Sequence, residues 1–398
     1  MLARTGEHLA ISGDTDAPSA FGAAAFSRLS RLVVTDFRSY ARTEIALDGR
    51  PVVLTGENGA GKTNLLEAVS LLAPGRGLRG AAYAEIARQG GAGGWAVAAT
   101  VETRDGPVRL GTGIEPGAEA ARSRAVRIDG QPVTGAGALA RHVRVVWLTP
   151  AQDRLFLEGA SDRRHFLDRL VMGLDASHGT RVNAYERALR ERNRLLADGT
   201  MDDAWLGGLE SQMAEHGVAV AAARVETLAR LRGAIEAASE AHFPRALLAI
   251  EGTLEEALAE KPAVDVEDEY ARRLAASRAR DAGAGRTLEG PHRSDLLVRY
   301  QAKDREARLC STGEQKALLI GVVLANARLL AARATPPLLL LDEIAAHLDV
   351  ERRRALFDEI VALGLQAFMT GTDPALFEAL GRNAQSLEVK RGAVVELN

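Results

Sequence analysis

Gly56-Glu57-Asn58-Gly59-Ala60-Gly61-Lys62-Thr63 fits G-x-x-x-x-G-K-[S/T] at every fixed position. The apolar run 51–55 (PVVLT) precedes it and reads as a buried strand. Residues 62–72 follow, with Leu65, Leu66, Val69 and Leu72 on one side of a helix. Strand, glycine-rich turn and helix in that order make a phosphate-binding loop. Its glycines let backbone amides turn towards an anion, and the helix N-terminus adds its positive end. In such a loop Lys62 reaches the β- and γ-phosphates and Thr63 offers a hydroxyl to Mg²⁺.

The second half of that site lies almost three hundred residues further on. Residues 338–343 (LLLLDE) form a fully apolar run that ends in two acids. A buried strand of this kind belongs to a parallel sheet, and such sheets bind ligands at the carboxyl ends of their strands. Asp342 is placed to hold Mg²⁺, directly or through water, and Glu343 to orient or deprotonate an attacking water. Ahead of it, Ser311-Thr-Gly313-Glu-Gln-Lys316 opens a long apolar-faced helix over 314–332. Ser311 with Glu314 three residues on is also a capping box, so an N-cap alone accounts for the pattern.

Between these segments the texture changes twice. Residues 29–37, 95–101, 108–114, 124–128 and 143–148 are strand-like and separated by Gly/Pro turns, as in a largely antiparallel sheet. From Ser161 the chain is rich in Ala, Leu, Arg and Glu, and 162–196 and 203–243 read as long helices. Val218, Ala221, Val225, Leu228, Leu231 and Ile235 form an apolar stripe. An antiparallel, coiled-coil-like arm and an ordinary helical subdomain both fit this segment. Residues 262–269 read as an acidic loop and 268–282 as a further helix, before α/β texture returns. The fold expected is α/β, one domain split by a helical insertion. Its parts are a disordered extension over 1–28, a first half over 29–160, the insertion over 161–286 and a second half over 287–398.

The chain has 398 residues, one cysteine and a net charge of −3. It is long enough for a core without staples. A single Cys310 rules out a disulfide framework and thiolate zinc sites, and fits a reducing, cytoplasmic setting. No apolar run is long enough for a membrane helix. The charge does not announce a nucleic-acid binder. Only five of the 50 basic residues are lysine, so arginine richness is a habit of the whole chain. Arg181, Arg187, Arg190, Arg192 and Arg194 cluster where the insertion leaves, and Arg272, Arg273, Arg278, Arg280 and Arg286 where it returns. Arg187, Arg190, Arg194, Arg272 and Arg273 are the candidates for phosphate contacts with DNA. Glu186, Glu191 and Asp281 lie among them, so salt-bridged helix faces are the competing reading.

A phosphate loop, then S-x-G-x-Q/K at a helix start, then an apolar run ending in Asp-Glu, then Leu348-Asp349, resembles the ABC-type ATPases. Asp36-Phe-Arg38-Ser-Tyr40 is similar to an element of the SMC-like repair ATPases. Residues 150–168 (PAQDRLFLEGASDRRHFLD) and 290–296 (GPHRSDL) resemble the RecF family of bacterial recombination mediators. The resemblance runs from about residue 29 to the end of the chain. It implies bound ATP and Mg²⁺. It puts Arg38 near the phosphates, and Gln152 near the metal and γ-phosphate. It also puts Ser311 and Gly313 against the nucleotide of a second copy, in an ATP-dependent homodimer. It implies slow, DNA-stimulated hydrolysis that acts as a switch. It further implies binding to duplex DNA beside single-strand gaps, with RecR, and through it RecO and RecA, as partners. ABC ATPases often carry a histidine after the last core strand, and residues 368–373 (FMTGTD) have none, leaving Thr370 or Thr372 in its place. That departure and the large insertion speak against a transporter subunit.

Overall fold

Each leucine of 338–341 is buried because its strand is covered on both sides. The computed structural model describes residues 27–117, 123–199, 202–238, 242–333 and 335–397. Strands β1 (Arg28–Phe37), β2 (Tyr40–Ala46), β4 (Trp95–Thr103), β5 (Gly106–Ile114), β6 (Ala125–Ile128) and β7 (Gln131–Val133) make an antiparallel sheet in the order β2-β1-β4-β5-β6-β7. Strands β3 (Val52–Thr55), β8 (Arg144–Leu148), β12 (Pro337–Leu341), β13 (Ala367–Gly371) and β14 (Gln385–Lys390) run parallel, in the order β14-β3-β13-β12-β8. Strand β15 (Ala393–Glu396) closes the β14 edge antiparallel. Leu338 and Leu340 face the core shared with the antiparallel sheet and with α1 (Lys62–Ser70). Leu339 and Leu341 face the core built by α2 (Ala160–Leu174), α8 (Thr312–Ala331) and α9 (Val350–Ala362). A strand buried on both faces cannot alternate, which explains PLLLL.

The insertion is a lobe rather than a projecting arm. Helices α3 (His178–Ala197), α4 (Asp203–Glu236), α5 (Thr253–Glu260) and α6 (Ala263–Ala276) pack around Tyr185, Met213, Val218, Leu254 and Tyr270, and α7 (Arg278–Ala284) sets Ala282 against Leu195, Leu196 and Leu206. Helix α4 has 34 residues, about 51 Å at 1.5 Å per residue. Leu228, Leu231 and Ile235 in its second half belong to the core of the parallel sheet. One helix therefore joins both cores, and the lobe has no free stalk.

Several expected boundaries shift. The helix expected over 162–196 is two, α2 and α3, broken where the Asp175 carboxylate accepts the Ser177 N–H and hydroxyl. The acidic segment 262–269 is helical, because Pro262 starts α6 and Tyr270, Leu274 and Val266 bury one face. The helix expected over 268–282 breaks at Ser277, whose hydroxyl bonds Asp281. The insertion is not purely helical: β9 (Ala246–Glu251) pairs with β10 (Asp295–Tyr300), which also pairs with β11 (Arg305–Glu306). Residues 1–26 of the expected extension lie outside the described residues, but Ser27 is buried, donating to His142 O at 2.8 Å, and Arg28 already belongs to β1.

Two buried arginines fasten the lobe. Arg192 is fully buried and donates to Glu210 at 3.0 Å, Asp281 at 2.9 Å, Thr287 at 2.7 Å and Leu274 O at 2.8 Å. Arg224 forks onto both oxygens of Asp168 at 2.8 Å and donates to Pro291 O at 2.7 Å. His178 joins the same carboxylate at 2.8 Å. Beside them, Tyr185 donates its hydroxyl to His292 Nδ1 at 2.7 Å, and His292 Nε2 donates to Thr287 O at 3.1 Å.

Removing the Arg192 guanidinium leaves Glu210 and Asp281 buried with less charge compensation. Arg192→Ala is expected to lose about 3–5 kcal/mol of stability in denaturant unfolding. Burial pushes His292 down to about 4 from 6.5. The unfolded chain then takes up this proton first, so stability falls as pH drops from about 6.5 towards 4. The denaturation midpoint at pH 5 should lie below that at pH 7, and a His292→Gln protein should lose less over that window. Asp168, held near 2 against burial by His178 and Arg224, adds to acid lability only below about pH 4.

Candidate functional site

The end of β3 and the start of α1 are 7 residues apart, and the chain turns between them on glycine. Gly56 (φ +145°) and Gly61 (φ +115°) lie where a side chain is strained. A Cβ on Gly56 would come within 2.3 Å of Val389 O, and one on Gly61 within 2.7 Å of the Tyr40 hydroxyl. Glu57, Asn58 and Gly59 form the exposed crest of the turn, with half-buried Ala60 behind them. Lys62 is buried, and its ammonium donates to Gly56 O at 2.8 Å and Glu57 O at 2.9 Å. Burial lowers its pKa, while the Glu343 and Asp342 carboxylates pull the other way.

Two distant sequence segments meet here. Thr63 Oγ1 donates to Asp342, 2.9 Å from Oδ1 and 3.1 Å from Oδ2. Asp342 is 5% exposed and also accepts the Thr370 hydroxyl at 2.8 Å. Glu343 has φ +53°, and its N–H donates to Thr370 Oγ1 at 2.8 Å. Thr370 is buried and Thr372 exposed. Hydroxyl and carboxylate oxygens beside a lysine ammonium and a helix N-terminus are a donor set suited to Mg²⁺ and a polyphosphate.

The other expected residues fall in different places. Arg38 (φ +52°) does not reach into the loop. Its Nε and Nη2 fork onto the Glu67 carboxylate at 2.8 and 2.6 Å, and Nη1 donates to Glu85 O at 2.7 Å. The turn it begins does touch the loop, through Tyr40 to Gly61 O at 3.0 Å and Asn64 to Ser39 at 3.0 Å. Gln152 follows β8, next to β12, but its Oε1 accepts the Thr149 N–H at 3.1 Å in a capping box. Ser311 and Gly313 are exposed at the start of α8. Ser311 caps α8 and meets Glu314 Oε2 at 3.0 Å, so the capping box is present. Lys303 and the Ser311 N–H hold the Glu314 carboxyl at about 2.

Sequence reasoning missed two connections. Glu67, fully buried on α1, binds both Arg38 and Arg79, the latter at 2.6 Å. A carboxylate inside an apolar helical run was the available signal. Lys316, on the first turns of α8, is buried and donates to Asp153 at 2.9 Å, beside Gln152. A lysine in an arginine-rich chain was the signal there.

The two arginine clusters do meet, but mainly inside the lobe. Arg192 is buried, and Arg278 forks onto Glu210 at 3.0 and 2.6 Å. Arg190 faces Glu186 at 3.5 Å, Arg194 binds Glu191 at 2.7 Å, Arg272 donates to Asp268 O at 3.2 Å and Arg273 lies 3.9 Å from Glu289. Of the five DNA candidates, Arg187 alone is exposed without such a partner among the described residues. The motifs at 159–168 and 290–296 form the joint between lobe and sheet: Arg163 forks onto Asp295 at 2.7 Å and Arg164 donates to Ser294 O at 2.8 Å. No described helix is long and apolar enough to cross a membrane.

The RecF/RecN/SMC N terminal domain family matches residues 28–394. The DNA replication and repair protein RecF of Rhizobium johnstonii is 57% identical over 370 residues, 92% of this chain and 98% of that one. Its counterpart in Agrobacterium fabrum is 56% identical over 369 residues, with the same coverage. Among solved structures, the recombination mediator protein RecF-ATPrS in the RecFOR pathway aligns with TM-score 0.81 at 22% identity, over 94% of this chain and 99% of that one. An Smc head domain with an extended coiled coil, bound to the C-terminal domain of ScpA and derived from Pyrococcus furiosus, aligns with TM-score 0.53 at 15% identity, over 94% and 96%.

The loop geometry gives a direct test. Gly56→Ala places a methyl against the Val389 carbonyl at a φ that disfavours it. Loss of nucleotide binding by at least about tenfold is expected, since shifting the amides by even about 1 Å removes several charge-assisted hydrogen bonds. Gly59 (φ +80°) also disfavours a side chain, but a Cβ there meets nothing within 4 Å, so Gly59→Ala should retain more affinity than Gly56→Ala. Titration with a fluorescent ATP analogue compares them.

Proposed function

This chain belongs to the RecF family of DNA replication and repair proteins, recombination mediators on an ABC-type ATPase fold, and we propose that it works as an ATP-gated DNA clamp. The observation that carries this reading is the hydroxyl–carboxylate contact of Thr63 and Asp342, which unites the phosphate loop with the acidic strand end. The backbone of Gly56, Glu57, Asn58, Gly59, Ala60 and Gly61 wraps the phosphates. Lys62 leaves the Gly56 and Glu57 carbonyls for the β- and γ-phosphates. Thr63, Asp342 and, after release from its own backbone, Gln152 would hold Mg²⁺, which neutralises phosphate charge when bound. Glu343 orients the attacking water and accepts its proton. Arg38 acts indirectly, by fixing α1 through Glu67.

Ser311 and Gly313 stand exposed at a helix start, as groups that serve a second copy would. Two copies then enclose two nucleotides, and hydrolysis releases them. The dimer binds duplex DNA beside single-strand gaps through Arg187, with Arg190, Arg194, Arg272 and Arg273 exchanging their local partners for phosphates. Its partners in this reading are RecR, and through it RecO and RecA. The absence of a histidine over 368–373 supports a slow, DNA-stimulated ATPase that serves as a switch.

Sedimentation with and without ATP tests the dimer. Wild type should be monomeric without nucleotide and dimeric with ATP. Ser311→Arg should bind ATP and stay monomeric, and Lys62→Ala should lose ATP affinity and stay monomeric as well. A wild-type dimer that forms without nucleotide would sink the mechanism.

Glu343→Gln should keep ATP binding but slow hydrolysis by about 10²–10⁴-fold, the contribution of a general base. Dissociation from gapped duplex in ATP, followed in real time, should slow with it.

A further inference from the structure

Strand β13 lies between the strand that leads into the phosphate loop and the strand that leads into the acidic pair. Its residues pair with Val52–Thr55 on one side, Thr370 opposite Leu54, and with Leu339, Leu340 and Leu341 on the other. Thr370 comes one position after the last residue paired with β12, and it is 1% exposed.

The Thr370 hydroxyl has one proton to give and lone pairs to receive. Asp342 Oδ1, 2.8 Å away, can only accept when ionised, and the Glu343 N–H, also 2.8 Å away, can only donate. The direction of both bonds follows: Thr370 donates to Asp342 and accepts from Glu343. One buried side chain thus touches the metal-binding candidate through its carboxylate and the candidate base through its backbone. Oδ1 of Asp342 receives two hydroxyls, at 2.9 Å from Thr63 and 2.8 Å from Thr370. Oδ2 receives only the longer contact from Thr63, at 3.1 Å, and keeps lone-pair capacity for a cation. Glu343 adopts φ +53°, a left-handed conformation that costs a residue with a side chain and persists only where its surroundings enforce it. Its N–H bond to Thr370 is part of that enforcement.

We propose that Thr370 is a positioning residue for nucleotide hydrolysis, setting the Asp342 carboxylate for the divalent cation and the Glu343 backbone for the attacking water. Thr372, two residues on and exposed, makes neither contact. The proposal rests on the nucleotide-site reading given above.

Three full-length variants test it. Thr370→Ser keeps the hydroxyl, Thr370→Ala loses it together with the same methyl, and Thr370→Val replaces it by a methyl of similar size. Affinity for a fluorescent ATP analogue is measured across a Mg²⁺ titration and in EDTA, alongside single-turnover hydrolysis. The Ala and Val proteins should need about 10–100-fold more Mg²⁺ for half-maximal tightening, the usual effect of removing a group that orients a metal ligand. Their EDTA affinity should match wild type, and they should hydrolyse more slowly. The Ser protein should stay within about threefold of wild type on both readouts. Equal Mg²⁺ dependence of the Ser and Ala proteins overturns the proposal, and so does loss of affinity in EDTA, which marks a merely structural role. If melting curves show that Ala does not fold, the Val and Ser proteins decide. Lys62→Ala and Asp342→Asn, with Thr370 intact, are the controls. If both bind Mg²⁺-nucleotide like wild type, the site reading itself fails, and the proposal falls with it.

Discussion

Everything in this structure that concerns a nucleotide depends on two strand ends arriving side by side. Thr63 and Asp342 are 279 residues apart in sequence, yet a hydroxyl and a carboxylate meet at 2.9 Å. The contact is possible because β3, β13 and β12 are parallel and in register, so their carboxyl ends come out on one side of the sheet. A parallel sheet has to be covered on both faces. One cover is the antiparallel sheet with α1; the other is α2, α8 and α9 with the second half of α4. The helical lobe is thus a continuation of the layer that makes the parallel sheet possible.

Charge buried in the lobe serves a different purpose from charge at the site. Arg192 and Arg224 are 0% and 3% exposed and each finds carboxylates and backbone carbonyls in several elements. Such networks stabilise little relative to apolar packing, but breaking one is costly, so they favour one arrangement of α2, α3, α4 and α7 over its alternatives. Asp168 and the 290–296 segment belong to this network. The most recognisable stretches outside the phosphate site therefore specify how lobe and sheet join.

The site was legible where chemistry dictates local sequence. Glycines at forced φ, a lysine at the helix start, and a five-residue apolar strand ending in two acids each carry their reason within a few residues. What could not be read depends on long-range partners. Nothing near Arg38 says that Glu67 will take its guanidinium, and nothing near Gln152 says that its amide will fold back on Thr149. The choice between arm and subdomain stayed open for a related reason: periodicity reveals that α4 has a buried stripe, but not that the stripe crosses from one core into another. The break at Ser277 turns on a single side-chain bond and the helix after Pro262 on three buried residues spaced along an acidic stretch, which composition averages away.

The use of lysine follows the same logic. In a chain that writes arginine almost everywhere, Lys261, Lys303 and Lys390 lie at the surface in ion pairs with neighbouring acids, where either cation would serve. Lys62 and Lys316 are each 4% exposed. A guanidinium is a wide planar fork, whereas an ammonium is a compact point charge on a flexible stem. At Lys62 the ammonium sits among the carbonyls of a tight loop, and at Lys316 it fits under the start of α8 against Asp153. Lys62 is bound to the loop that would grip phosphate, and Lys316 ties the Gln152 segment to the helix that presents Ser311. Strand β8, which leads into that segment, pairs in parallel with β12. A guanidinium is wider than the compact ammonium that each of these buried sites holds, which gives both a reason to depart from the chain's general habit.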